Sequence, residues 1–314
     1  MKRIFLLIAL ILFFCLTGCS QKKNVAIRNS EEKISVTATI FPPYDFVRAI
    51  AGDRVNLTML LPPGAESHSF EPTPKDIITL QKTSVFICIG GESETWVDTI
   101  LQSMNTGAMR ILVLMDAVNV VEEETVEGME DSEEEEEETA YDEHIWTSPG
   151  NVKIITQAIT ETLCDADAAN AGFYRQNAER YIAKLDELDR AFQETVDNGK
   201  RKTIVFGDRF PFRYFADSYG LSYFAAFPGC STETEPSAAT VAFLINKIKD
   251  EHIPVVFHIE LSNERMADTI SEATGAKKLL LHASHNISKN DFENGVTYLD
   301  LMSANVKNLE EALR

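Results

Sequence analysis

A chain of 314 residues with 44% apolar side chains is long enough for two hydrophobic cores and too apolar to be disordered. Its formal charge of −20 falls mostly on one stretch: Glu122 to Glu143 holds fourteen acidic residues and no Lys or Arg, leaving −6 for the rest. No basic face is available to neutralise phosphates, which excludes nucleic acid as a partner. The anionic run is expected to be solvated and mobile, and to attract cations.

Lys2 and Arg3 precede a twelve-residue apolar run, Ile4 to Cys15. It is too short to span a bilayer and reads as a signal peptide, residues 1–18. The run ends in Leu16-Thr17-Gly18-Cys19, which resembles the lipobox of bacterial lipoproteins. That resemblance implies cleavage before Cys19 and acylation of it, hence an extracytoplasmic protein lipid-anchored to the bacterial cell membrane. At roughly 0.8 kcal/mol per buried methylene, two or three acyl chains hold firmly where one would not. Residues 19–32 then carry the lipidated Cys and a polar tether. No later stretch is apolar enough to cross a membrane. Cys88, Cys164 and Cys230 remain, too few for a disulfide framework. Cys88 sits in an apolar strand as a small core residue, and a Cys164–Cys230 pair stays open.

From Lys33 short apolar runs alternate with amphipathic segments. KISVTATI, VNLTMLLP, SVFICIGG and MRILVLMDAV read as strands, separated by helices such as YDFVRAIAG, closed by Gly52, and one starting at Pro74. Ser148-Pro149 opens another helix, with Ser as cap and Pro at the first position. From about Asp167 to Val196, apolar residues recur at alternating spacings of four and three, one stripe down a rod of about 45 Å. TIVFGD, LSYFAAF, VVFHIEL and AKKLLLHA repeat the strand theme beyond it, and YLDLMSANVKNLEEALR ends the chain as a helix. The fold expected is α/β with mostly parallel sheets. The divisions are an N-terminal lobe over 33–165 containing the acidic loop 121–143, a linking helix over 166–198, and a C-terminal lobe over 199–314. A helix with so little charge pairing does not argue for a coiled-coil dimer, and a monomer is expected.

Four of the six histidines, His68, His144, His282 and His285, fall where loops follow strands or re-enter folded chain. His252 and His258 read as structural. Ligands of open α/β sheets bind beyond the carboxyl ends of strands, so two facing lobes would bring such histidines to one cleft. Neutral imidazoles with a carboxylate are the donor set of a zinc site.

PPGAESHSFEPTPKD, YDEHIWTSP and GVTYLDLMSANVKNLEEAL resemble the solute-binding proteins of zinc and manganese ABC transporters, over essentially the whole mature chain. The resemblance implies two (β/α)4 lobes joined by one long rigid helix, with the metal in the interlobe cleft. It implies His68 as first ligand and His144 as second, preceded by the loop that marks the zinc branch. Two positions depart from the pattern. Gly207 stands where a third ligand is expected, with Asp208 beside it as a substitute unless water serves. Ser284-His285 stands where a Ser-Asp pair is usual, with His282 nearby. The implied site is His68, His144, His285 and Asp208, and the implied partner is the membrane permease of an ABC importer.

Imidazoles outnumber carboxylates, which favours Zn2+ as transported ligand over manganese or iron. A secreted zinc hydrolase is the rival class. It would need a general base, for which Glu66 and Glu143 are the candidates, and the chain has neither HExxH nor GxSxG.

Overall fold

The computed structural model describes residues 33–66, 70–129, 141–231 and 236–314. The expected signal peptide, Cys19 with its tether, His68 and residues 130–140 of the acidic run lie outside them. Strands β1 (Ile34–Ala38), β2 (Val55–Met59), β3 (Val85–Cys88) and β4 (Arg110–Val113) form one parallel sheet in the order β2-β1-β3-β4. Helices α1 (Phe41–Ala51), α2 (Pro74–Leu80) and α3 (Thr95–Ser103) make the crossovers. Pro42 and Pro43 occupy the first turn of α1, where no backbone N–H is needed, and Gly52 ends it at φ 53°. The central strand β3 is buried throughout, so a continuous apolar run rather than an alternating one encodes it.

Two helices follow: α4 (Pro149–Ala166) and α5 (Ala171–Asn198). The stripe expected on α5 is the face it buries: Tyr174, Ala178, Tyr181, Leu185, Leu188, Phe192 and Val196. One end of that stripe meets the first half, with Tyr181 6.2 Å from Phe46 of α1 between ring centres. The other end meets the second half, where Phe192 packs edge-on against Phe215 at 4.8 Å. The helix thereby joins one hydrophobic core that draws on both halves.

Beyond α5 come β5 (Thr203–Val205), β6 (Arg209–Phe210), α6 (Arg213–Tyr219), β7 (Ser222–Phe224), β8 (Phe227–Pro228), α7 (Ala238–Asp250), β9 (Val255–His258), α8 (Arg265–Thr274) and β10 (Lys277–Leu280). The chain closes with α9 (Lys289–Glu293) and α10 (Tyr298–Leu313). The parallel pairs β5–β7 and β9–β10 are linked by a bridge from Phe206 to Phe257, giving the order β7-β5-β9-β10. That is the same second-first-third-fourth arrangement as in the first sheet. Among the described residues no helix is long and apolar enough to cross a membrane.

Candidate metal site between the strand ends

The His144 segment is built by short-range chemistry. An antiparallel bridge between Glu122 and Tyr141 closes the acidic run at its neck, and Asp142 N donates to Val121 O at 2.9 Å. His144 then enters a single 3₁₀ turn, Ile145–Thr147, and its carbonyl accepts from Thr147 N and Oγ1 at 3.0 and 2.9 Å. Ser148 caps α4 as its sequence suggests. The His144 ring is fully buried, and Asp142 Oδ1 lies 2.9 Å from Nδ1 and 2.7 Å from the backbone N. A carboxylate only accepts, so Nδ1 carries the proton and Nε2 carries the lone pair. Burial works to lower the His144 pKa, but the Asp142 charge and hydrogen bond, with Glu143 and Glu123 behind them, raise it overall. A cation binding Nε2 therefore competes with a proton in mild acid.

His285 comes to this ring from the other half of the chain. The two imidazoles stand edge to face with centres 4.3 Å apart, and Trp146 packs on both, at 5.5 Å from His144 and 5.0 Å from His285. Trp146 Nε1 donates to Ala283 O at 2.7 Å, which ties the two segments together. Gly229 lies against the third side, where a Cβ would stand 3.0 Å from His144 Cε1, so only glycine lets the backbone approach the ring this closely.

His282 does something different. Its Nδ1 accepts from Ser284 N at 3.0 Å, and its main chain is held by Asn305 through both N and O. It supports the loop. Asn286 Nδ2 reaches across to the carbonyls of Pro62 and Ala65 at 2.8 and 2.7 Å, fixing the turn that leads towards His68.

Asp208 accepts from Arg209 N at 2.9 Å and Ile259 N at 3.2 Å, and it lines a cavity with Glu66, Gly207 and Leu261. Gly207 has a packing reason for lacking a side chain. A Cβ there would lie 2.7 Å from Cα and 2.8 Å from N of Ala267 in α8. We expect Gly207→Ala to push α8 off β9 and cost about 1–3 kcal/mol, read as a lower urea midpoint. An unchanged midpoint would mean that α8 yields freely and that a larger side chain fits.

Among the described residues no three His, Cys, Asp or Glu side chains are grouped to hold a metal. The pair His144 and His285 is what the described chain brings together, and His68 lies outside it. The hydrolase bases find other employment: Glu143 accepts from Ser93 N and Oγ, and Glu66 forks onto Arg209 at 3.4 Å.

One expectation is corrected. The start of the acidic run is held to the fold through Glu123, Glu124 and Met129, while Glu122 and Glu127 stay exposed. Glu123 accepts from Cys230 N at 2.8 Å, and Glu124 accepts from Tyr223 OH and pairs with Arg213. Gly128 lies against the Phe243 ring and Met129 is buried. Glu123 and Glu124 each have a donor on the second half, which outweighs repulsion between neighbours. The cysteines Cys88, Cys164 and Cys230 are free thiols, so the Cys164–Cys230 pair does not form.

Asp142, Glu260 and Asn286 are the site-building residues that residue spacing did not single out. Asp142 is hidden among fourteen acids. Glu260 could have been noticed as a carboxylate beyond the end of β9.

Parallel sheets bridged by one long helix, with imidazoles from both halves meeting beyond the strand ends, are the architecture of a solute-binding protein. The chain belongs to the family described as the periplasmic component A of the zinc-uptake complex, matched over residues 36–312. Members of this family are binding components of zinc uptake, not enzymes, and zinc is the family's ligand. The chain is 32% identical to the high-affinity zinc uptake system protein ZnuA of Bacillus subtilis (strain 168), covering 96% of this chain and 94% of that one. It is 30% identical to the zinc-binding lipoprotein AdcA of Streptococcus pneumoniae (strain R6), where 99% of this chain spans 61% of the relative. Among solved structures, the metal-dependent lipoprotein YcdH of Bacillus subtilis superposes with a TM-score of 0.76 at 30% identity, over 90% of this chain and 100% of that one. The Zn(II)-bound ZnuA-like domain of Streptococcus pneumoniae AdcA gives 0.75 at 27%, over 90% and 99%.

Proposed function

We propose that this chain captures Zn2+ outside the cytoplasm and delivers it to the membrane permease of an ABC-type importer, working as a monomer anchored by lipid on Cys19. In this reading residues 33–165 and 199–314 are the two lobes, and 166–198 the stiff connection. His68, His144 and His285 supply imidazole nitrogens, and Asp208 or a water completes the shell. The observation that carries it is the His144–His285 pair, a fully buried ring and a half-buried one from opposite halves at 4.3 Å, the first with its tautomer set by Asp142. A metal-binding histidine is ordinarily oriented through a carboxylate on its other nitrogen, and the pair already has that form on one side.

Chelator competition on metal-stripped protein tests this. One zinc per chain is expected, stabilising the fold by roughly 4 kcal/mol at a thousandfold excess over Kd. His285→Ala should weaken zinc at least tenfold more than His282→Ala, because His282 Nδ1 is engaged within its own loop. Equal losses at the two positions would remove His285 from the ligand set.

A further inference from the structure

We propose that Glu260 is a positioning residue for His285: its carboxylate grips both ends of a strained three-residue arch and so sets where the imidazole stands. The proposal rests on the reading of His285 as a ligand. Glu260 follows β9, with its side chain only 8% exposed. Oε2 accepts from Ala283 N at 2.6 Å and Oε1 accepts from His285 N at 2.9 Å. Between those two residues Ser284 has φ 63°, a left-handed backbone that a residue with a Cβ adopts only when its surroundings enforce it. Ser284 N in turn donates to His282 Nδ1, so all three N–H groups of the arch are satisfied, two of them by one carboxylate.

The neighbouring fastenings cannot hold this shape alone. Asn305 fixes His282, one residue before the arch, and Asn286 fixes the chain just after it. Glu260 spans the turn, bonded to the N–H groups at both of its ends. Charge adds to geometry. A divalent cation among neutral imidazoles needs nearby negative charge, and the Glu260 carboxylate, held by two backbone N–H groups, lies beside the site without entering the shell.

The test is zinc affinity by chelator competition, together with the visible d–d absorption of the Co(II)-loaded protein. Wild type, Glu260→Gln and Glu260→Gln/Ser284→Gly are compared. In Glu260→Gln the amide nitrogen points N–H at N–H and one end of the arch is released. We expect zinc to bind about 10–100-fold more weakly, with an altered Co(II) spectrum. Ser284→Gly, which carries no cost at positive φ, should recover part of the loss. A loss below tenfold, or an unaltered Co(II) spectrum, overturns the proposal. Should Glu260→Gln fail to fold, Glu260→Asp, which reaches only one of the two N–H groups, is judged on the same thresholds. Wild type that takes up no zinc would instead overturn the reading of the site itself.

Discussion

His144→Ala lowers zinc affinity on the order of a thousandfold, about 4 kcal/mol. The imidazole removed is the one whose donor nitrogen is set before any metal arrives: Asp142 fixes the ring by accepting from Nδ1–H, which leaves the lone pair on Nε2. Its entropy of ordering is therefore met on folding rather than on binding. The same substitution leaves Asp142, itself buried, with backbone donation from residue 144 but without the ring N–H. That lost partner should cost the metal-free protein about 1–3 kcal/mol. Asp142→Asn separates the two effects, since the ring stays while its tautomer is no longer enforced, and about 10–100-fold in affinity should go. Chelator competition at neutral pH measures both variants. His144→Ala binding zinc within tenfold of wild type would place the site elsewhere.

How far the sequence foretold this arrangement depended on the range of the interactions. The strands and α5 were legible because burial writes a local period: continuous runs for β3, alternating fours and threes for α5. The caps at Ser148 and Gly52 were legible for the same reason. His144 and His285 stood out through their residue type and their place in segments resembling the metal-transport family. What was hidden was long-range pairing. Nothing near Glu123 or Glu124 announces Cys230, Tyr223 and Arg213 about a hundred positions away, so the run looked free when its first part is docked. Gly207 was visible as a departure, but its cause is the approach of Ala267, sixty residues on. Glu260 likewise acquires meaning only once residues 283–285 fold back over it.

Glu94→Gln stabilises the metal-free protein at pH 8 by up to about 3 kcal/mol and much less at pH 5. Glu94 is almost wholly buried beyond β3 and lines a cavity of about 20 Å³ with Thr39, Trp146 and His285. Burial pushes its pKa up to about 7, while the Thr39 hydroxyl and the Gly90 and Ile89 N–H groups work the other way and the Glu143 charge adds to the rise. In the unfolded chain the same group titrates near the ordinary glutamate value of about 4.3. A pKa raised on folding contributes stability that is fully present below the unfolded value. That stability is lost as pH rises through the folded one, here between about pH 4.5 and 7. Above that window wild type must either keep a buried carboxylate charged or hold a proton the solvent would take. Glutamine does neither, and its carbonyl can still accept from Ile89 N and Gly90 N, as Glu94 Oε2 does at 2.7 and 2.9 Å. The comparison is urea unfolding of wild type and variant at pH 5, 6, 7 and 8 in the absence of metal. The difference between the two cancels the titrating groups that do not interact with Glu94. A gap that stays constant across the four pH values would show that Glu94 does not change its protonation on folding in this range.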